Sequence, residues 1–430
     1  MHSLQLLTIG LAAVPLFATL AASADVPAAA PVPAVLCQPR LGLGNFFAKV
    51  KKGEPVTVAY FGGSITAANG WRPKTMAWFR QKYPDVKFTE VAAAIGGTGS
   101  YLGAYRFHND VLVHNPDLIF VEFAVNDGGD KPEAIWRQME GIVRQARRAN
   151  PKVDICYIYT FRVGYEAQLS QGVNPPAASA DEKLADYYGI PSINVALETV
   201  HRQQAGKIVY IAQKDATGHA LPVADGVTLW SNDGVHPLDA GHEIYTQVIA
   251  DAFEKMESIP PVGAYPTKAP FVADNWENAK QAPILPSMLS AGWTKLSAVD
   301  GIGKQFHSLM PEIWQATQPG ETLTFKFKGT AVNLYDILGP DGGEAIVTLD
   351  GKEVGTTPLF DHYCTYHRLN TLAIGSGLAD AVHTVKVELS SHQPDRTPAS
   401  KQETGAFDPK KYEGVALRFG SIMLIGDVVN

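Results

Sequence analysis

Val56-Thr57-Val58-Ala59-Tyr60-Phe61-Gly62-Gly63-Ser64-Ile65-Thr66 decides the reading of this chain. The first six residues are apolar, aromatic or β-branched, which predicts a strand buried on both faces. Gly62-Gly63 ends the run abruptly and leaves Ser64 at a Gly-rich strand-to-helix turn. A turn of that kind holds a serine with its hydroxyl exposed, as a nucleophile must be held. Far downstream stands Asp233-Gly234-Val235-His236. A carboxylate three residues before an imidazole supplies a base and the group that orients it. The chain order Ser…Asp…His is one of several that build a hydrolytic triad, because a triad is defined by geometry.

Around this strand the signals alternate. Phe88–Ala94, Leu118–Ala124, Val153–Tyr159 and Ser192–Ala196 read as further strands. Leu118–Ala124 is nearly all apolar apart from Glu122. Lys74–Tyr83, Glu133–Ala149, Ala180–Tyr188 and Pro237–Met256 read as helices. Ile135, Met139, Ile142, Val143 and Ala146 give the second of these its helical periodicity. Buried strands separated by helices predict a doubly wound parallel α/β sheet with right-handed crossovers. After Ser258 the composition changes. Pro260, Pro261, Pro266 and Pro270 mark residues 260–275 as a linker or an extended crossing segment. Beyond it, Thr322–Phe327, Ala331–Ile337, Ala345–Leu349, Thr384–Leu389 and Ala416–Leu424 read as short strands, with turns at Gly339–Gly343 and Asp350-Gly351. Residues 276–430 are therefore expected to form a C-terminal β-sandwich domain.

The bulk properties exclude several classes. A chain of 430 residues, 46% hydrophobic and 18% charged, has room for two globular domains. Its net charge of -7 gives no reason to expect nucleic acid or an anionic membrane as partner. Cys37, Cys156 and Cys364 have no metal-ligand spacing and allow at most one disulfide. Cys156 lies within a strand-like run, as a small core residue would. Leu6 to Leu20 is mostly apolar, and Ala22-Ser23-Ala24 fits a cleavage pattern. Residues 1–24 are therefore expected to be a signal peptide that exports the chain to the periplasm or outside the cell. Met1-His2-Ser3 lacks the usual basic residue, which makes an uncleaved anchor the competing reading. Residues 25–50 are expected to be a flexible N-terminal segment, and 51–259 the catalytic domain. No second apolar run is long enough to cross a membrane.

Four turns fall at the ends of expected strands or before the last helix: Gly62-Gly63-Ser64, Ile95-Gly96-Gly97-Thr98-Gly99-Ser100, Ala124-Val125-Asn126-Asp127 and Asp233-Gly234-Val235-His236. In a doubly wound sheet the carboxyl ends of neighbouring strands converge on one crevice. In type and order these four segments resemble the blocks of the SGNH hydrolases, the GDSL-type esterases with a flavodoxin-like fold. The resemblance covers about residues 55–256. It implies that Ser64 is the nucleophile and that Asp233 and His236 complete the triad. It also implies an oxyanion hole made by the Ser64 backbone N–H, Gly97 and Asn126. Gly96 and Gly99 are neighbours that can serve in place of Gly97. The family's Gly-Asp-Ser is Gly62-Gly63-Ser64 here, and Ala124 replaces a glycine. Neither departure removes a reacting group, although the first alters the support of the nucleophile turn.

Other residues point elsewhere less specifically. His108, His114, His219 and His242 have no metal-ligand spacing, so neither metal nor other cofactor is expected. The Gly96–Gly99 turn lacks the lysine and spacing of a phosphate loop. Trp276, Trp293 and Trp314 read as core or domain-interface residues rather than sugar platforms. Within Asp361–Arg368, His362, Tyr363, Tyr366 and His367 form either a solvated strand edge or a substrate wall beside the crevice. The resemblance implies ester hydrolysis. With export and a β-sandwich, the leading expectation is a secreted carbohydrate acetylesterase acting on an acetylated glycan. Alternatives are a lipolytic or small-molecule carboxylesterase or thioesterase and, from another class, a non-catalytic glycan-binding protein.

Overall fold

Val56–Gly62 is strand β2 of a six-stranded sheet. Its companions are β1 (Cys37–Gln38), β3 (Phe88–Ala92), β4 (Leu118–Glu122), β5 (Asp154–Tyr159) and β6 (Ser192–Asn194). The order is β1-β6-β5-β4-β2-β3, parallel throughout except for β1. This is the computed structural model of residues 32–215, 217–403 and 408–430; the expected signal peptide lies outside the described residues. The connecting helices are α1 (Gly44–Lys51), α2 (Ser64–Ala67), α3 (Trp71–Lys82), α4 (Ser100–Asp110), α5 (Pro132–Ala149), α6 (Glu166–Ser170), α7 (Pro176–Tyr188), α8 (Val195–Gln204) and α9 (Asp239–Met256). Alternate strand residues face opposite helical layers. Val58, Tyr60, Leu118 and Phe120 pack with Phe46, Phe79, Val200 and Phe253. Ala59, Phe61, Ile119 and Val121 pack with Tyr105, Ile135, Ile142 and Leu184. The doubly wound α/β sheet is thus as the sequence predicts, and its strand order reverses between β2 and β4.

Two boundaries differ from expectation, and one strand pair is additional to it. Flexibility over 25–50 fails from Cys37 onward. Cys37–Gln38 pairs with β6, and α1 buries Phe46 and Phe47 completely. The Phe46 ring lies 5.1, 5.4 and 5.8 Å from those of Phe47, Phe79 and Phe253. The Ala/Pro composition that suggests flexibility does not extend into this aromatic face. The strand expected over Ser192–Ala196 stops at Asn194, whose side chain accepts from the Leu197 N–H at 2.9 Å and caps α8. A short parallel pair, β7 (Ile208–Val209) and β8 (Thr228–Leu229), lies between α8 and α9.

The Pro-rich segment after α9 crosses the first unit as a strap. The Tyr265 hydroxyl donates to Asp154 Oδ1 at 2.7 Å, while Phe46 N donates to Asp154 Oδ2 at 2.8 Å. One buried carboxyl therefore fixes both α1 and the strap to β5. Farther along, the Phe271 and Val272 N–H groups donate to the buried Glu140 at 2.6 and 2.8 Å.

The strap leads into β9 (Ala279–Pro283), β10 (Thr294–Lys295), α10 (Gly301–Phe306), β11 (Trp314–Ala316), β12 (Thr322–Leu338), β13 (Glu344–Leu349), β14 (Lys352–Pro358), β15 (Arg368–Leu389) and β16 (Leu417–Val429). These strands form one eight-stranded antiparallel network. The two strands expected over 322–327 and 331–337 are a single 17-residue strand with a register shift between Gly329 and Ala331. Its first half alternates between buried and solvent-facing residues, whereas its second half is buried throughout. The cause is a second burial surface. Leu323, Phe325, Val332 and Leu334 face the β-rich core, while Tyr335 and Ile337 join the core of the α/β sheet. Asn333 Nδ2 donates to the Tyr105 hydroxyl at 3.3 Å across the same boundary. Trp293 is buried and stacks on Phe419, and Trp276 packs on Tyr101 and Tyr105, the core and interface roles expected of them. The three cysteines are free. Among the described residues no helix is long and apolar enough to cross a membrane.

Two outcomes are expected. A chain ending at residue 262 loses the Tyr265 and Glu140 ties and uncovers Tyr101 and Tyr105. It should aggregate or melt far below the full-length protein, and a soluble fragment with an unchanged melting temperature would contradict the shared core. The second concerns pH. Burial pushes Asp154 up to about 6 and the fully buried Asp336 up to about 7. Both lie above the ordinary carboxylate value near 4. The folded chain therefore holds protons there that the unfolded chain has released. This contribution is complete below about pH 4 and is lost as pH rises through 6 to 7. Asp336→Asn should flatten the fall of the urea midpoint between pH 5 and 8; an unchanged slope would count against it.

Candidate active site

Ser64 is the first residue of α2, directly after β2, and is partly exposed. The turn that carries it is tightly enclosed. A Cβ at Gly62 would lie 2.5 Å from the Glu122 carbonyl oxygen, and one at Gly63 would lie 2.0 Å from Asn126 Oδ1. Neither position admits a side chain without displacing the end of β4 or Asn126. The Asn126 amide occupies the space that a side chain at position 63 would enter.

Asp233 and His236 lie in the turn before α9, which starts at Asp239 rather than at Pro237. The Ser64 Oγ···His236 Nε2 and His236 Nδ1···Asp233 Oδ2 distances are both 2.7 Å. Asp233 Oδ1 accepts from the Val235 and His236 backbone N–H groups and from the Ser231 hydroxyl, each at 2.9 Å. Partial burial alone would raise the Asp233 carboxyl. Hydrogen bonds from the His236 ring and backbone, from Val235 N–H and from the Ser231 hydroxyl instead hold it well below the usual carboxylate range. An ionised carboxylate only accepts, so Nδ1 carries the imidazole proton and Nε2 is left to accept from Ser64. Gly234 makes the turn possible with φ +81°.

The 95–99 turn completes the enclosure. Ile95 N–H donates to the Gly62 carbonyl at 3.0 Å. Gly96 faces Ser64, with 3.6 Å between a built Cβ and Ser64 Cβ. Gly97 adopts φ +73° and has open space beside it, whereas Gly99 abuts Asp127. Asn126 is exposed above Gly63. The structure thus gathers Ser64, Asp233 and His236, with Gly97 on the turn that packs against Ser64 and Asn126 over Gly63, at the point where strand order reverses. A donor–acceptor relay beside exposed backbone and amide N–H groups suits attack on a carbonyl and stabilisation of the resulting oxyanion.

Three supporting groups escape the sequence reading. Ser231 is fully buried, and its Oγ accepts from Asp233 and Gly234 N–H at 3.2 and 2.9 Å. The signal was a hydroxyl two residues before the aspartate, a turn-forming pattern. Asp127 accepts at 2.9 Å from the N–H of Ser100, the first residue of α4; burial pushes its carboxyl up to about 7. Glu122 lies beneath the nucleophile turn, and its signal was a lone charge in an apolar strand. The segment with His362, Tyr363, Tyr366 and His367 makes its contacts within the β-rich unit: His367 Nε2 lies 3.0 Å from Asp341 Oδ1, and the His362 and Tyr363 rings are 3.8 Å apart. Tyr363 and Tyr366 are more than half exposed. Among the described residues no cluster of three or more His, Cys, Asp or Glu is arranged to hold a metal ion.

Solved structures of a two-domain esterase active on acetylated mannans share this architecture. The form co-crystallised with mannopentaose aligns with TM-score 0.66 and 22% identity over 89% of this chain and 93% of its own. A second structure of that esterase aligns with TM-score 0.64 and 21% identity over 89% and 94%. A search of curated proteins finds no match. Residues 60–244, the stretch from the end of β2 into α9, match the GDSL-like Lipase/Acylhydrolase family. Over that stretch the chain is similar to the GDSL-like lipase/acylhydrolases, a family of ester hydrolases.

Proposed function

We propose that this protein is an exported serine esterase that removes O-acetyl groups from a carbohydrate. The observation that carries the proposal is the pair of 2.7 Å contacts joining Ser64, His236 and Asp233. His236 Nε2 takes the proton of Ser64 as its Oγ bonds to the acetyl carbonyl carbon. Asp233 holds the imidazole in the tautomer this requires and stabilises the imidazolium. The Ser64 and Gly97 backbone N–H groups and the Asn126 amide are the donors for the tetrahedral oxyanion. Collapse of that intermediate breaks the bond to the sugar oxygen, which takes the proton from His236. Water, deprotonated by His236, then releases acetate from Ser64.

A carbohydrate acetyl ester is favoured over a lipid ester by the likeness along nearly the whole chain, β-rich unit included, to an esterase active on acetylated mannans. The N-terminal segment read as a signal peptide supports export. His362, Tyr363, Tyr366 and His367 are the proposed substrate wall, with Tyr363 and Tyr366 exposed enough to contact sugar. Acetate release from a panel of acetylated mannans, xylans and pectins tests the reading. Release from a glycan is expected, and hydrolysis confined to long-chain lipid esters would refute it.

Ser64→Ala should lower kcat for an aryl acetate by at least about 10³-fold and leave the melting temperature nearly unchanged. Retention of more than a few per cent of activity would remove Ser64 from its role. The pH profile follows from the depressed Asp233 carboxyl. That group is ionised throughout the neutral range, so kcat/KM measured between pH 5 and 8 should show no acid limb from protonation of Asp233, and such a limb abolished in Asp233→Asn would contradict this. Asp233→Asn should cut kcat by roughly 10³- to 10⁴-fold, because the amide favours the wrong tautomer. A variant within about tenfold of wild type would contradict the relay.

A further inference from the structure

Glu122 has no part in the proton relay, yet it ends β4 directly under the nucleophile and is 1% exposed. Its two carboxyl oxygens are divided between two hydroxyls. Thr66 Oγ1 donates to Oε2 at 2.7 Å, and Thr160 Oγ1 donates to Oε1 at 2.8 Å. Thr66 belongs to α2, the single turn of helix that begins with Ser64; Thr160 immediately follows β5. Thr66 and Thr160 are themselves fully or almost fully buried. The carboxyl thus spans the ends of β4 and β5 and the turn after β2, three neighbouring positions of the sheet. A built Cβ on Gly62 would lie 3.0 Å from Thr66 Oγ1 and 3.1 Å from Glu122 Oε2, so the backbone rests against this bridge.

A carboxyl is a costly choice at the end of a buried strand. Burial pushes Glu122 up to about 7 despite the hydrogen bonds from Thr66 and Thr160. An apolar residue would fill the space, continue the strand and keep the backbone bond from Gly63 N–H to the carbonyl of residue 122 at 3.2 Å, but it would remove the side-chain hold on α2 through Thr66. The need for one follows from the sequence of the turn. Gly62 and Gly63 bring no side-chain support, and the aspartate that the family places at 63 is absent. The short α2 has no side-chain cap. The hydroxyl of Ser64 must nevertheless stay within 2.7 Å of His236 Nε2.

We propose that Glu122 is a positioning residue for the Ser64 nucleophile, holding the first turn of α2 through Thr66 and bracing it against Thr160. This rests on the serine-esterase reading of the site. Glu122 touches neither Ser64 nor substrate in this role; it acts through the backbone of α2. Its loss should therefore appear in the rate of attack and not in ground-state binding.

The test compares Thr66→Val, Glu122→Gln and Glu122→Ala with wild type on an aryl acetate and by the rate at which a fluorophosphonate labels Ser64, located by peptide mass. Thr66→Val is nearly isosteric and cuts only the link to α2. It is expected to lower kcat and the labelling rate by about tenfold or more while KM stays within about twofold. Glu122→Gln keeps one acceptor oxygen and should retain more of both than Glu122→Ala. If Glu122→Ala does not fold, Thr66→Val decides. Ile249→Val, a core change in α9, controls for lost stability and should keep the wild-type labelling rate. The proposal is overturned if Thr66→Val labels and turns over within about twofold of wild type, or if the stability control loses as much. Wild-type protein that is labelled at Ser64 but releases no acetate would sink the acetylesterase reading alone, and the labelling rates would still decide the role of Glu122. Failure of wild type to label at Ser64 would overturn both.

Discussion

Crowding at the carboxyl end of β2 governs the site. Gly62 lies against the Glu122 carbonyl, and Gly63 against Asn126. With no Cβ at either position, β2 turns into α2 within the width of its neighbour β4. Ser64 then emerges beside the 95–99 turn, in line with the loop that brings His236 from the far end of the chain. A side chain at 62 would press on the backbone of β4, and one at 63 would displace the Asn126 amide. The parallel sheet makes this compression possible, because the reversal of strand order between β2 and β4 sends their following segments in opposite directions and leaves a gap between them. The geometry of the candidate site is therefore a product of backbone packing first and of side-chain chemistry second.

The β-rich unit is bound to that framework by more than a linker. Asp154 ties α1 and Tyr265 to the same strand, and Glu140 receives the strap farther along. The second half of β12 is buried on one face by its own core and on the other by the α/β unit. Removing that half of the chain would leave an apolar surface where native packing now excludes water, at roughly 25 cal/mol for each square ångström uncovered. The candidate site nonetheless lies wholly on the α/β unit, where Ser64, Asp233 and His236 meet.

The alternation of strands and helices was plain in the sequence because buried parallel strands are continuous apolar runs of a distinctive length. The juxtaposition of Ser64, Asp233 and His236 was legible because a hydroxyl–imidazole–carboxylate relay of the proposed kind needs those residue types at such turns. Other features were less visible for physical reasons. α1 followed an Ala/Pro-rich stretch, and its burial depends on Phe79 and Phe253, far along the chain. α4, Ser100–Asp110, carries Gly103 and polar residues that weaken its periodicity. β12 was read as two strands because its pattern changes from alternating to continuous where the second burial surface begins. Ser231 and Glu122 act on neighbours that only the folded sheet brings within reach, so nothing in the local sequence named their partners.

The central claim is that an acyl group passes through Ser64. Rapid quenching of full-length protein mixed with excess aryl acetate, followed by peptide mass analysis, tests it most directly. The account predicts one added acetyl group on the peptide containing Ser64, formed during the first turnover and absent in Ser64→Ala. Steady hydrolysis with no acetyl on that peptide, or with acetyl on another residue that persists in Ser64→Ala, would contradict it.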